Sequence, residues 1–147
     1  MSADPLPEPI FSALLDVLIP ARSPSLPGAG SLGLAAYVES RLGVGVSGVS
    51  TGLGALDARA NESHGTDFPA LAEQAQVELV TQVGAEHPGF VESLLFPLYT
   101  GYYEHPRVVE ALGLESRPPF PKGYPLEGGD LGLLDPVRGR TGLFREA

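Results

Sequence analysis

Proline and glycine cut the apolar pattern of this chain into short helical pieces, and that punctuation constrains the fold more than any other feature. Ile10, Phe11, Leu14, Leu15, Leu18 and Ile19 recur at helical spacing, so residues 9–19 read as an amphipathic helix that Pro20 stops. "ARSPSLPGAGS" is a loop by its composition, and Ser31 is placed to cap a second helix running to about Leu42, with Leu34, Tyr37, Val38 and Leu42 on one face. The stretch from Val46 to about Asn61 keeps Val49, Leu53, Leu56 and Ala60 at helical positions. Its three interior glycines each cost a helix about 1 kcal/mol against alanine, but they let a neighbour approach closely. His64-Gly65 reads as its C-terminal break.

Residues 68–86 read as one helix with Pro69 in the first turn, where a missing N–H costs little, and with Leu71, Ala75, Leu79 and Val83 on its apolar face. Pro88 is placed to begin the next helix, over residues 89–104. Pro97 in its middle is expected to kink or split it, because proline donates no hydrogen bond and crowds the preceding turn. "PRVVEALG" reads as one further short helix closed by Gly113. From Leu114 onward the periodicity vanishes, and five prolines and six glycines follow. The expectation is an all-α protein: a compact bundle of five or six helices over residues 1–113, and an extended Pro/Gly-rich C-terminal arm over 114–147. That arm still carries Phe120, Tyr124, Leu126, Leu131, Leu133, Leu134, Leu143 and Phe144, which call for a surface on this chain or another.

Charge is distributed unevenly. Residues 1–112 hold four arginines against thirteen carboxylates, and this accounts for the whole net charge of −9; residues 113–147 hold five charges of each sign. An acidic body repels phosphates, which argues against nucleic acid and anionic lipid as partners. The chain has no cysteine, so thiolate metal sites, disulfides and cysteine nucleophiles are excluded. No apolar run approaches the roughly 20 residues of a membrane span. The N-terminus lacks a basic n-region and paired arginines, so the chain as written is expected to be cytoplasmic.

The residues that could carry chemistry are sparse. His64, His87 and His105 each fall at a predicted break, and none pairs with another at the i, i+4 spacing of a helical zinc site. Asp57, His64 and a serine make a hydrolase triad only on paper, without a nucleophile elbow. "GAGSLG" (28–33) matches a dinucleotide fingerprint by letters but follows prolines rather than a strand. Asp16, Asp57 and Asp67 are candidates for buried or capping acids. For Asp57 a solvated helix face is favoured over a bond to Arg59 or to a backbone amide.

Tyr99, Tyr102 and Tyr103 occupy positions i, i+3 and i+4 of a predicted helix and crowd one side of it. Two roles are open: an aromatic core layer with hydroxyls reaching water or backbone, or an interface, where tyrosine supplies area and a polar tip. The proline-rich continuation favours the interface, because a segment of fixed φ loses less entropy on docking. Pro118, Pro119, Phe120, Pro121 and Tyr124 therefore join the three tyrosines as candidate partner-binding residues.

"LLDVLIPARSPSLPGAGSLGLAAYVESRL", "TGLGALDARANESHGTDFPALAEQAQVELVTQV" and "FPLYTGYYEHPRVVEALGLESRPPFPKGYPLE", in that order, are together similar to the gluconate 2-dehydrogenase subunit 3 family. The resemblance covers residues 10–127, and the Tyr-Tyr to Pro-Pro stretch is its strongest part. It implies a non-catalytic small subunit, without a cofactor of its own, that stabilises a large FAD-dependent dehydrogenase subunit of the glucose-methanol-choline type. A cytochrome subunit is a further possible partner. The resemblance also implies that flavin and catalytic base belong to the large subunit. Family members often begin with a twin-arginine export signal, which this sequence does not show, so a periplasmic complex would need a signal on the partner. Two other classes compete: a free-standing helical module for a small apolar ligand, and an enzyme with a carboxylate–tyrosine site near Asp57 and Tyr102.

Overall fold

Pro7 and Pro9 open the first helix. The computed structural model describes residues 6–116, 123 and 126–140, and the chain divides into two units, residues 1–116 and 117–147. The first unit holds six α-helices: α1 (Glu8–Leu18), α2 (Ala35–Leu42), α3 (Val46–His64), α4 (Glu73–Glu86), α5 (Glu92–Glu104) and α6 (Pro106–Ala111). Short 3₁₀ turns at Gly43–Gly45 and Phe68–Ala70 join α2 to α3 and lead into α4. The expected all-α bundle is what forms; the described residues contain no β-strand.

The first helix is the hub. It packs against α2, α3, α4 and the turn at Phe68, while α2 pairs with α5 and α3 with α4. Phe11, Leu14 and Leu15 of α1 meet Val49, Leu53 and Leu56 of α3, Val83 of α4 and Leu94 and Leu98 of α5 in one buried cluster. Burying each such side chain contributes about 1.5–3 kcal/mol. Two glycines set how closely helices approach. A Cβ on Gly52 would collide with the ring of Phe90, so the missing side chain lets that ring lie against α3. A Cβ on Gly101 would lie 2.6 Å from the Tyr37 ring, which crosses α5 there. Gly65 takes a left-handed φ of 67° and ends α3 by donating its N–H to the Asn61 carbonyl at 3.0 Å, at the break read from the sequence.

Three boundaries differ from expectation, each for a tertiary reason. Ser31 does not cap α2, which starts four residues later. Its N–H and hydroxyl instead bond the Asp16 carboxylate, both at 3.1 Å. Residues 68–70 do not belong to α4. Phe68 is fully buried, its N–H donates to Asp57 Oδ1 at 3.4 Å, and its carbonyl accepts from the Gln76 side chain at 3.0 Å, which turns the backbone out of helical register. Pro88 does not start α5 either. Gly89 turns at φ 86° and donates its N–H to Glu92 Oε2 at 3.0 Å, so the helix begins at Glu92. The Glu92 side chain there satisfies an amide at the entry to the helix. Pro97 leaves α5 unsplit: it is buried and deprives only the Ser93 carbonyl of its helical partner.

In the second unit a 3₁₀ turn (Leu131–Leu134) leads into a four-residue helix, α7 (Asp135–Arg138), where regular structure was not expected. Asp130 caps the turn by accepting the Gly132 N–H at 2.9 Å, and Arg138 pairs with Asp135 at 2.8 Å. Leu126, Leu131, Leu133, Leu134 and Val137 are exposed.

Candidate partner-docking site

The fifth helix is apolar on two sides. Leu94, Pro97, Leu98, Gly101 and Tyr102 face the core. Phe96, Tyr99 and Tyr103, at i, i+3 and i+7, form a second stripe, with relative exposures of 82%, 47% and 56%. The rings of Tyr99 and Tyr103 stack with centroids 6.4 Å apart, and Tyr102 meets Tyr103 edge-on at 5.3 Å. The tyrosine cluster therefore serves both roles left open by the sequence. Tyr102, 4% exposed, belongs to the core, while Tyr99 and Tyr103 form surface.

What separates them is the loop between α1 and α2. The Tyr102 hydroxyl donates to the Pro27 carbonyl at 3.1 Å, so the polar tip is satisfied inside the protein. Burial, and then the neighbouring Tyr103, hold its pKa above the ordinary tyrosine value. The same loop is tied to α1 by Asp16, whose Oδ1 also accepts the Gly30 N–H at 2.8 Å. The amides of "GAGSLG" thus cradle a carboxylate of this chain, in a turn that no strand precedes. Asp16 and Tyr102 together hold the loop beside α5, leaving an open groove of about 220 Å³ between Leu18, Pro20 and Leu26 on one side and Tyr99, Tyr103 and Leu112 on the other.

Around the corner of α5, Tyr37 donates to Glu104 Oε2 at 3.1 Å, and the Arg41 guanidinium lies 3.7 Å from the centre of its ring. Withdrawal from water and the Glu104 bond raise the Tyr37 pKa, with Arg41 pulling the other way. Asp57, expected on a solvated face, is partly buried and bonds the Phe68 amide, whereas Arg59 pairs with Glu86 at 2.7 Å. His64 ends α3, His87 ends α4, and His105 caps α6 through its Nδ1, which accepts the Arg107 N–H at 3.3 Å. Among the described residues no group of three or more His, Asp or Glu side chains is placed to hold a metal ion, and no helix is long and apolar enough to cross a membrane.

Of the candidate partner-binding residues, Tyr99, Tyr102 and Tyr103 come together on α5, while Pro118, Pro119, Phe120, Pro121 and Tyr124 lie outside the described residues. Phe96 and Arg22, which line or extend the surface, were not singled out by sequence reasoning. The signal for Phe96 was present: Leu94, Leu98 and Tyr102 form one helical row, and Phe96, Tyr99 and Tyr103 form another.

No curated protein and no solved structure matches this chain. The sequence profile described as gluconate 2-dehydrogenase subunit 3 matches residues 8–118, which span α1 to α6 and the residues just after them. With three quarters of its length covered, the chain belongs to the gluconate 2-dehydrogenase subunit 3 family.

Proposed function

We propose that this chain is a non-catalytic small subunit that binds and stabilises the large FAD-dependent catalytic subunit of a sugar, sugar-acid or alcohol dehydrogenase complex. The family is named for a subunit of gluconate 2-dehydrogenase, which supports the reading. The observation that carries the reading is the Phe96–Tyr99–Tyr103 stripe, an aromatic surface on a helix whose other side is already packed. Aromatic side chains held in water on a rigid helix are the composition of an interface core. In this reading flavin and catalytic base belong to the large subunit, and a cytochrome subunit is a possible further member of the complex. The small subunit raises the stability of its partner by binding the folded form alone.

The test is isolation of the tagged chain from its native cells, with the eluate read for flavin absorbance and dye-linked dehydrogenase activity. One large flavin-bearing chain at constant ratio is the expected result, with its heat resistance lost when the small subunit is removed. A colourless, solitary protein under gentle conditions would overturn the assignment.

A further inference from the structure

The groove beside the α5 stripe carries a charge opposite to that of the body around it. Its lining contains one charged side chain, Arg22, and no carboxylate, although residues 1–112 hold thirteen carboxylates against four arginines. Two of those arginines are engaged, Arg41 over the Tyr37 ring and Arg59 with Glu86. Arg22 is exposed and makes no ion pair among the described residues. Arg22 lines the same groove as the apolar and aromatic residues Leu18, Leu26, Tyr99 and Tyr102.

A guanidinium beside aromatic walls is complementary to a carboxylate that neighbours a large apolar side chain. At about 220 Å³ and open to solvent, the groove is smaller than the roughly 300–1,000 Å³ of small-molecule sites. A second copy of this chain would bring another net charge of −9 toward the same acidic body, and long-range repulsion opposes that encounter.

We propose that the groove seats a segment of the dehydrogenase subunit bearing an aspartate or glutamate next to a large apolar residue, with the carboxylate on Arg22 and the apolar group between Leu26 and Tyr99. This rests on the accessory-subunit reading and names the chemistry of the partner segment that docks.

The experiment places a photoreactive benzoylphenylalanine at position 99 of the full chain in its native cells. The cross-linked peptide is then identified by mass spectrometry in the flavin-bearing complex. The expected cross-link falls on the large subunit within a few residues of an Asp or Glu. Arg22→Glu then weakens the purified complex by about tenfold or more, a loss that charge reversal of that carboxylate restores. Arg107→Glu, a change at an exposed arginine outside the groove, leaves binding unchanged. Cross-links that land on a second copy, on residues 117–147 of the same chain, or on a partner segment without a carboxylate overturn the proposal, as does an Arg22→Glu complex of undiminished affinity. If the flavoprotein co-purifies but is not cross-linked, this inference fails and the accessory-subunit reading stands. If no flavoprotein co-purifies, the reading fails and the inference falls with it.

Discussion

Phe96→Ala separates the two things a large apolar side chain can do. Phe96 is 82% exposed, so the folded chain gains little from it. Exposed substitutions change stability by about 0.5 kcal/mol or less, and alanine is the better helix former by about that amount. The isolated variant is therefore expected to melt at the wild-type temperature or slightly above it. In a complex the ring has much more to contribute. A phenylalanine offers roughly 150–200 Å², so about 120–160 Å² remains in water, and covering it is worth about 3–4 kcal/mol gross. Ordering the side chain costs about 0.5–1.5 kcal/mol, which leaves roughly 2–3 kcal/mol. That corresponds to a complex weakened by roughly 30- to 150-fold. The assay is paired: thermal unfolding of the small subunit alone, and titration of the purified large subunit with wild type and variant. A drop of many degrees in the isolated chain would show that Phe96 supports the fold. Unchanged affinity in the titration would falsify the assignment of the α5 stripe as a docking surface.

Other residues should respond in the opposite sense, through the fold. Tyr102→Phe keeps the ring and loses the bond to the Pro27 carbonyl; a cost of about 1 kcal/mol in urea unfolding is expected. The pKa of Tyr102 is raised by burial, so its stabilising contribution is complete below the ordinary tyrosine value of about 10 and is lost as pH rises through the higher folded value. An alkaline absorbance titration should show late ionisation from Tyr37 and Tyr102, of which Tyr102→Phe removes one tyrosine's share, with less pH-dependent destabilisation in the variant. Asp16→Ala deprives the Gly30 and Ser31 amides and the Ser31 hydroxyl of one shared acceptor. A loss of about 1–3 kcal/mol is expected, with amide exchange accelerated across residues 28–31. Gly52→Val forces a side chain into the Phe90 ring; overpacking of about 1–3 kcal/mol should lower the melting temperature, whereas the same change at Gly54, where a Cβ meets nothing, should cost much less.

The helical order, the apolar face of α3 and the αL close at Gly65 were all legible from residues a few positions apart, because helix periodicity and capping are local properties. So was the family pattern, carried by the order and spacing of its motifs over residues 10–127, against a profile match over 8–118. What sequence alone left undecided depended on partners far along the chain. Ser31 went to Asp16, fifteen residues earlier, and not to its own helix. Phe68 left the helical register because the core took its ring and Asp57 and Gln76 took its backbone. Tyr102 and Tyr103 are adjacent in sequence, and spacing alone left the core and interface roles open for both. The Pro27 carbonyl, 75 residues away from Tyr102, made one of them core and left the other as surface. Local periodicity says that a helix has an apolar face. Which of two apolar faces is buried is decided by the elements that fold back against it, and on α5 that choice left Phe96, Tyr99 and Tyr103 in water.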